Sequence, residues 1–451
     1  MRSFRFKLIY VVFLLFLLGW AESNAQSGLT FNEFKSKLEK YFNSEMLDDI
    51  EKQIPQKSKI SVWGWDVGDF SGDNYPDLAF SIKILDEKRR NVYVYLFVDL
   101  DGYLQLVYFD SYEYLELPLE IGVSIHNNKC SITQKKKNDY WTYKSYTFDN
   151  GIIYLAEEYS SQSIFGNALE TRIDYEKCEY RINLDYFDAR KDKFQTDFLF
   201  IPSYPRSKQV FKGYPVVSTA GKVDYVIKGS YYWKGEEDAS MRIKSSFDDQ
   251  YLYFAINFTD DNFIPPECDK CVGDFFSFWF DFTPYKSTLQ RIFKQAGNKF
   301  IPRSNFEGSL YEIKVFPGDF LDKLPYVASV NSSEPLDEEQ IKSISKIKIF
   351  VTKEDSTNFV LKVRFPFSLF GYERCPIENE APVYIGFNIV YHDIDNEFRP
   401  EQETLITNSI FDEFRPSTFG ELVLIPDFRK FSYSKNIFLE NIINLLEGFG
   451  F

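Results

Sequence analysis

The chain has 451 residues, of which 44% are hydrophobic and 19% aromatic, and it carries a formal charge of −15 at pH 7. So acidic a protein repels nucleic acid and anionic lipid and offers no basic stripe for a phosphate backbone. It has only two histidines, His126 and His392, neither in a G-x-S-x-G nor an H-E-x-x-H setting, which argues against His-dependent acyl transfer and catalytic zinc. A glycosidase needs only two carboxylates and survives this count.

In chain order, Arg2, Arg5 and Lys7 precede an apolar run at 8–20, and Ser23 and Ala25 supply small residues for cleavage. That order predicts a signal peptide over 1–25 and a secreted, periplasmic or cell-surface protein. The run is too short to span a bilayer, and no later segment is long and apolar enough. An uncleaved membrane anchor is the alternative. Residues 31–53 predict one amphipathic helix with apolar positions at Phe31, Phe34, Leu38, Tyr41 or Phe42, and Leu47, ended by Pro55. Short aromatic and β-branched runs follow at 91–99, 103–109, 140–148 and 152–157. Turn signals at Asp101-Gly102, Asn127-Asn128 and Asp149-Asn150-Gly151 separate them. They predict a β-meander, so that 26–200 forms a β-rich N-terminal domain with one leading helix. Pro202, Pro205 and Pro215 suggest a linker over 201–215. A second β-rich domain is expected over 216–430, with strands at 353–366 and 383–391. The tail, 431–451, predicts a helix capped by Asn436, docked on a domain surface or binding a partner.

Of five cysteines, Cys268 and Cys271 are three residues apart, with no second C-x-x-C to complete a zinc site. In an exported chain this predicts a local disulfide, and the state of Cys130, Cys178 and Cys375 stays open. The stretch Asp69-Phe70-Ser71-Gly72-Asp73-Asn74-Tyr75-Pro76-Asp77 sets oxygen side chains at 69, 71 and 73 and again at 77. Asp69, Ser71, Asp73 and Asp77 offer most of the oxygens of a structural calcium site, and Gly68 and Gly72 allow the turns. An acidic turn without metal is the alternative. The segment 65–82 resembles the calcium loop of FG-GAP repeats, with Asn74 where glycine is usual. Only one such loop is evident, so no propeller is implied.

The C-terminal half carries four ordered motifs: FDDQYLYFAINFTDDNF (247–263), GDFFSFWFDF (273–282), GFNIVYHDIDNE (386–397) and FRPSTFGELVLI (414–425). Together they resemble family 9 carbohydrate-binding modules and their DOMON-like relatives. The resemblance implies an antiparallel, jelly-roll-like β-sandwich that binds sugar between two aromatic side chains. Phe414, beside Arg415, stands near the position of one clamp. The other clamp position, within 268–273, has no aromatic, and Ser277 stands where the family has a glutamate. Asp393 falls in the family's polar loop and is expected to bond sugar hydroxyls with Arg415 and Ser277. Strand alternation puts Ser277, Trp279 and Asp281 on one face. Trp279 is then either a substitute stacking platform or, if both faces are covered, core. Gly420 suits a close backbone approach.

These readings imply an exported, noncatalytic protein that binds a polysaccharide or oligosaccharide in carbohydrate catabolism, with calcium as a structural cofactor. One alternative is a structural or protein-interaction module with an envelope partner. The other is an accessory part of a glycoside-hydrolysing system, for which the remaining N-terminal stretch is short.

Overall fold

The computed structural model describes residues 28–54, 60–84, 91–113, 120–136, 140–149, 151–164, 167–185, 194–207, 217–266, 272–285, 310–379, 381–413, 418–426 and 434–435. The expected signal peptide, Cys268, Cys271, Phe414, Arg415 and the C-terminal helix lie outside them. The chain is mostly β and divides into two compact units, one up to Ser163 and one over Ile164–Ser434.

In the first unit two helices stand where one is expected, α1 (Phe31–Leu38) and α2 (Ser44–Gln53). Thr30 and Glu33 form a capping box at α1. Asn43 is the reason for the break: its side chain accepts the Met46 N–H, a cap that requires non-helical backbone at 43. Phe34, Leu38, Leu47 and Ile50 bury against β1 (Ile60–Gly68), β2 (Asp77–Ile84), β3 (Asn91–Leu100) and β4 (Tyr103–Glu113), which form an antiparallel meander. A second meander follows: β5 (Glu120–His126), β6 (Lys129–Lys136), β7 (Tyr140–Asp149) and β8 (Ile152–Ile164). Asp101-Gly102 and Asn127-Asn128 turn with positive φ at both residues, the backbone that tight two-residue hairpins need.

The second unit is a sandwich of two largely antiparallel sheets. Its strands are β9 (Asn167–Asp174), β10 (Glu179–Asp185), β11 (Phe194–Pro205), β12 (Ser218–Ala220), β13 (Val226–Lys228), β14 (Ala239–Phe247), β15 (Tyr251–Asp260), β16 (Phe275–Tyr285), β17 (Leu310–Phe316), β18 (Tyr326–Ser332), β19 (Lys348–Lys353), β20 (Asn358–Pro366), β21 (Val383–Asp393), β22 (Thr404–Thr407) and β23 (Gly420–Leu424). One sheet runs β19-β20-β15-β14 and the other β18-β17-β16-β21. Strand β11 runs parallel both to β23 and to β14, so residues 201–205, read from the prolines as the start of a linker, are strand. The single strand expected over 353–366 is likewise two, because Asp355 accepts the Thr357 and Asn358 N–H groups and turns the chain.

Inward alternation builds the core. Phe276, Phe278 and Phe280 of β16 face Phe254, Ile256 and Phe258 of β15 and Phe359, Leu361 and Val363 of β20. Phe254 stacks on Phe387 at 5.0 Å and Phe258 on Phe359 at 5.0 Å, and such ring pairs add about 0.5–1.5 kcal/mol beyond area burial. The start of β23 is locked to β21. A Cβ on Gly420 would lie 2.2 Å from Asn408 Nδ2 and 3.0 Å from the Phe387 carbonyl. Asn408 in turn donates to Leu199 O and Phe387 O and accepts the Ile389 N–H.

Candidate functional site

The outer face of the β14-β15-β20-β19 sheet carries a groove of about 720 Å³. Its floor follows from strand alternation: with Leu252, Phe254, Ile243 and Val363 turned into the core, their neighbours face outward. Register sets Lys244, Ala255, Lys362 and Phe350 in one cross-strand row and Ser246, Tyr253, Arg364 and Lys348 in the next. Phe350 is 57% exposed. Arg206 lies over the Tyr253 ring at 4.3 Å and Arg364 over the Tyr251 ring at 4.5 Å. Asp248 accepts the Tyr253 hydroxyl and the Gln250 and Tyr251 N–H groups. The acidic composition hides this basic face, because only cross-strand register gathers cations that lie far apart in sequence.

At the end of the sandwich where β15 and β21 stop and β16 begins, three buried aspartates meet. Single carboxylate oxygens of Asp260, Asp274 and Asp393 lie within 4.8 Å of one another. They come from the acidic ends of three of the four sequence motifs. Asp260 accepts the Asn262 N–H and the Tyr391 hydroxyl, and Asp274 accepts the Ile264 and Ile394 N–H groups. Asp393 is 3% exposed. Burial, reinforced by the Asp260 carboxylate, pushes Asp393 up to about 9. Burial also lifts Asp260 to about 6 and Asp274 well above the usual carboxylate range. A neighbouring set, Asp238, Asp261 and Asp395, already holds a cation: Lys234 Nζ lies 3.1, 3.6 and 2.9 Å from their oxygens. Among the described residues the inner set has no such ammonium. Oxygen-only, acidic and buried, it fits a hard divalent cation such as calcium. Asp393, expected to meet sugar hydroxyls, is therefore a member of this buried cluster.

Two other expected site residues are also enclosed. Trp279 is 3% exposed and packs with Phe411, Phe419, Leu310 and Val390, so it is core on the second face of its sheet and presents no free ring. Ser277, 1% exposed, lies with its Oγ 3.3 Å from His392 Nε2, and His392 Nδ1 is 2.8 Å from Glu403 Oε1. Sequence reasoning missed this serine–histidine–carboxylate line. Burial holds the histidine below its ordinary value. The hydroxyl sits in mid-strand, opposite Val390 and Lys314, with the imidazole stacked on Phe275 at 3.8 Å. Acyl transfer also requires access to the nucleophile and oxyanion donors beside it, and so enclosed a hydroxyl offers little room for a substrate.

In the first unit, the 69–77 loop folds on its own hydrogen bonds. Asp69 accepts the Gly72 and Asn74 N–H groups and Asp73 that of Tyr75, while Asn74 adopts the expected positive φ of 72°. Ser71 donates its N–H, with that of Phe70, to the buried Asp77, whose other oxygen accepts the Asp99 N–H. Burial lifts Asp77 to about 6 against the pull of these bonds. Calcium there would have to share Asp69, Asp73 and Asp77 oxygens already engaged by backbone, while the Ser71 Oγ is buried with no hydrogen-bond partner among the described residues. Cys130, Cys178 and Cys375 are unpaired thiols. No helix among the described residues is long and apolar enough to cross a membrane.

No protein-family profile matches the chain, and no curated protein does. Several solved structures resemble it. A family 9 carbohydrate-binding module from Caldicellulosiruptor kristjanssonii in complex with glucose has 14% identity and a TM-score of 0.29, over 51% of this chain and 96% of that one. The module in complex with cellotriose gives 13% and 0.28, over 51% and 94%. A Bacteroides uniformis protein proposed to bind carbohydrate gives 9% and 0.29, over 46% and 86%. At these scores the likeness carries no argument, and the sugars belong to those proteins.

Proposed function

We propose that the second unit is a noncatalytic carbohydrate-binding module of an exported protein, and that sugar lies in the groove on the β14-β15-β20-β19 face. The groove carries the reading. It has the volume of a small-molecule site, an exposed phenylalanine, the half-buried Tyr253 and flanking donors. Apolar sugar faces stack on aromatic rings while polar groups orient the hydroxyls. The motif resemblance supports the same activity but puts the ligand at a clamp near Phe414. Binding of the mature chain to a glycan array, repeated with Phe350→Ala and Phe414→Ala, tests both. Loss with Phe350→Ala alone supports the groove, loss with Phe414→Ala alone supports the clamp, and no glycan bound by the parent overturns the reading.

The Ser277–His392–Glu403 line favours a second reading, a serine hydrolase. A fluorophosphonate probe decides it: the binding reading expects no labelling, and covalent labelling abolished by Ser277→Ala would replace it with an enzyme.

A further inference from the structure

We propose that the groove selects acidic sugar chains, whose carboxylate or sulfate groups pair with the cations of its floor and rim. The inference rests on the carbohydrate-binding reading and adds the class of ligand. Lys244, Lys348, Lys362, Arg206 and Arg364 all line the groove. In a chain with 67 acidic and 52 basic side chains, five cations on one face invert the local charge. None of the five forms an ion pair with a described residue. Other lysines of the same unit do: Lys177 with Asp174, Lys222 with Glu179, Lys228 with Glu403, and Lys234 with three aspartates. Asp248 feels the charge of Arg206, and the Tyr253 hydroxyl and two backbone N–H groups already engage it.

Geometry adds to charge. Arg364 Nε is shielded from water and has no hydrogen-bond partner. A buried donor left unmet is costly, so the guanidinium gains by turning toward a ligand carboxylate, which it takes in the bidentate manner it favours. Arg206 lies over the Tyr253 ring and Arg364 over the Tyr251 ring, contacts that hold both guanidinium groups beside the groove. Lys244 and Lys362 flank Ala255 in one cross-strand row, leaving a low floor between two ammonium groups and Phe350 at its end. Strands are spaced about 4.8 Å apart, so the cations form a short lattice suited to anions repeated along a chain. The exposed Phe350 at the end of the row separates this ligand from a bare polyanion. A sugar ring presents apolar C–H faces as well as charge.

The test is calorimetric titration of the full mature chain with an oligogalacturonate, a sulfated oligosaccharide, a neutral cello-oligosaccharide and poly-L-glutamate, at low and at 0.5 M salt. Binding of either acidic sugar, weakened by salt and reduced roughly tenfold in the double variant Lys244→Glu/Lys362→Glu, supports the inference. Both lysines are exposed, so circular dichroism of the variant should match the parent. Neutral sugar bound as tightly as acidic sugar, or an unchanged double variant, overturns this inference and leaves carbohydrate binding standing. Poly-L-glutamate bound as tightly as the acidic sugars also overturns it, because charge alone then suffices. Binding of none of the four overturns both readings.

Discussion

Replacing Asp393 by asparagine tests the buried carboxylate cluster, because the sign of the effect depends on whether a cation is present. In the folded unit Asp393 stands at about 9, against an ordinary carboxylate near 4 in the unfolded chain. Between those values the folded state holds a proton that the unfolded state has lost. This contribution to stability is therefore fully present below about pH 4 and is lost as pH rises toward 9. At about 1.4 kcal/mol per pH unit the gap sets a ceiling of roughly 7 kcal/mol, reduced in practice by relaxation around the site. A bound divalent cation replaces the proton. At a free concentration of one hundred times Kd it stabilises by about 2.7 kcal/mol, or a rise of about 5–10 °C in melting temperature for a unit of this size. Thermal melts at pH 8 should thus rise with calcium and fall with chelator in the parent. Asp393→Asn should melt higher than the parent in chelator, because at pH 8 it no longer has to take up a proton to fold, and should not respond to calcium. A parent indifferent to calcium at pH 8, with Asp393→Asn less stable under both conditions, would refute the cation reasoning.

Other outcomes are expected elsewhere. Asp77→Ala strands the N–H groups of Phe70, Ser71 and Asp99. At about 1–3 kcal/mol per unmet donor it should cost the first unit at least 3 kcal/mol in urea unfolding, and a loss under about 1 kcal/mol would contradict the loop's role. If the 69–77 loop takes calcium, Asp69→Ala/Asp73→Ala should lower the calcium stoichiometry measured by calorimetry by one, and an unchanged stoichiometry rejects the loop site. Gly420→Ala drives a methyl into Asn408 and the Phe387 carbonyl. It should destabilise the second unit by about 2–4 kcal/mol, and a stability within about 0.5 kcal/mol of the parent would show that the latch gives way freely. Cys268 and Cys271 should appear as one disulfide in non-reducing mass spectrometry of secreted protein, and recovery of either as an alkylated free thiol in most molecules rejects the pair.

Much of the architecture is legible along the chain because strands and turns are encoded locally. The aromatic runs at 91–99 and 140–148 alternate with turn residues, and the structure places strands there. Asp101-Gly102 and Asn127-Asn128 announce their positive φ by residue type. The local code was misread at Asn43 and Asp355, whose side chains bond neighbouring N–H groups and interrupt an apolar pattern that otherwise runs through them. Apolar periodicity alone is blind to such competition.

What the sequence determined by itself was the β-rich class, the order of the four motifs and the acidic composition. Tertiary structure decided where the chemistry sits. Trp279 is core because its sheet is covered on both faces, and one strand's pattern cannot report what packs against it. Asp260, Asp274 and Asp393 lie far apart in the chain and become one cluster only because β15, β16 and β21 begin or end at the same end of the sandwich. The cationic groove exists because cross-strand register sets Lys244 and Lys362 in one row and places Arg364 and Lys348 side by side in the next. Burial, charge proximity and register are properties of distances between segments, and a linear pattern carries only the distances within them.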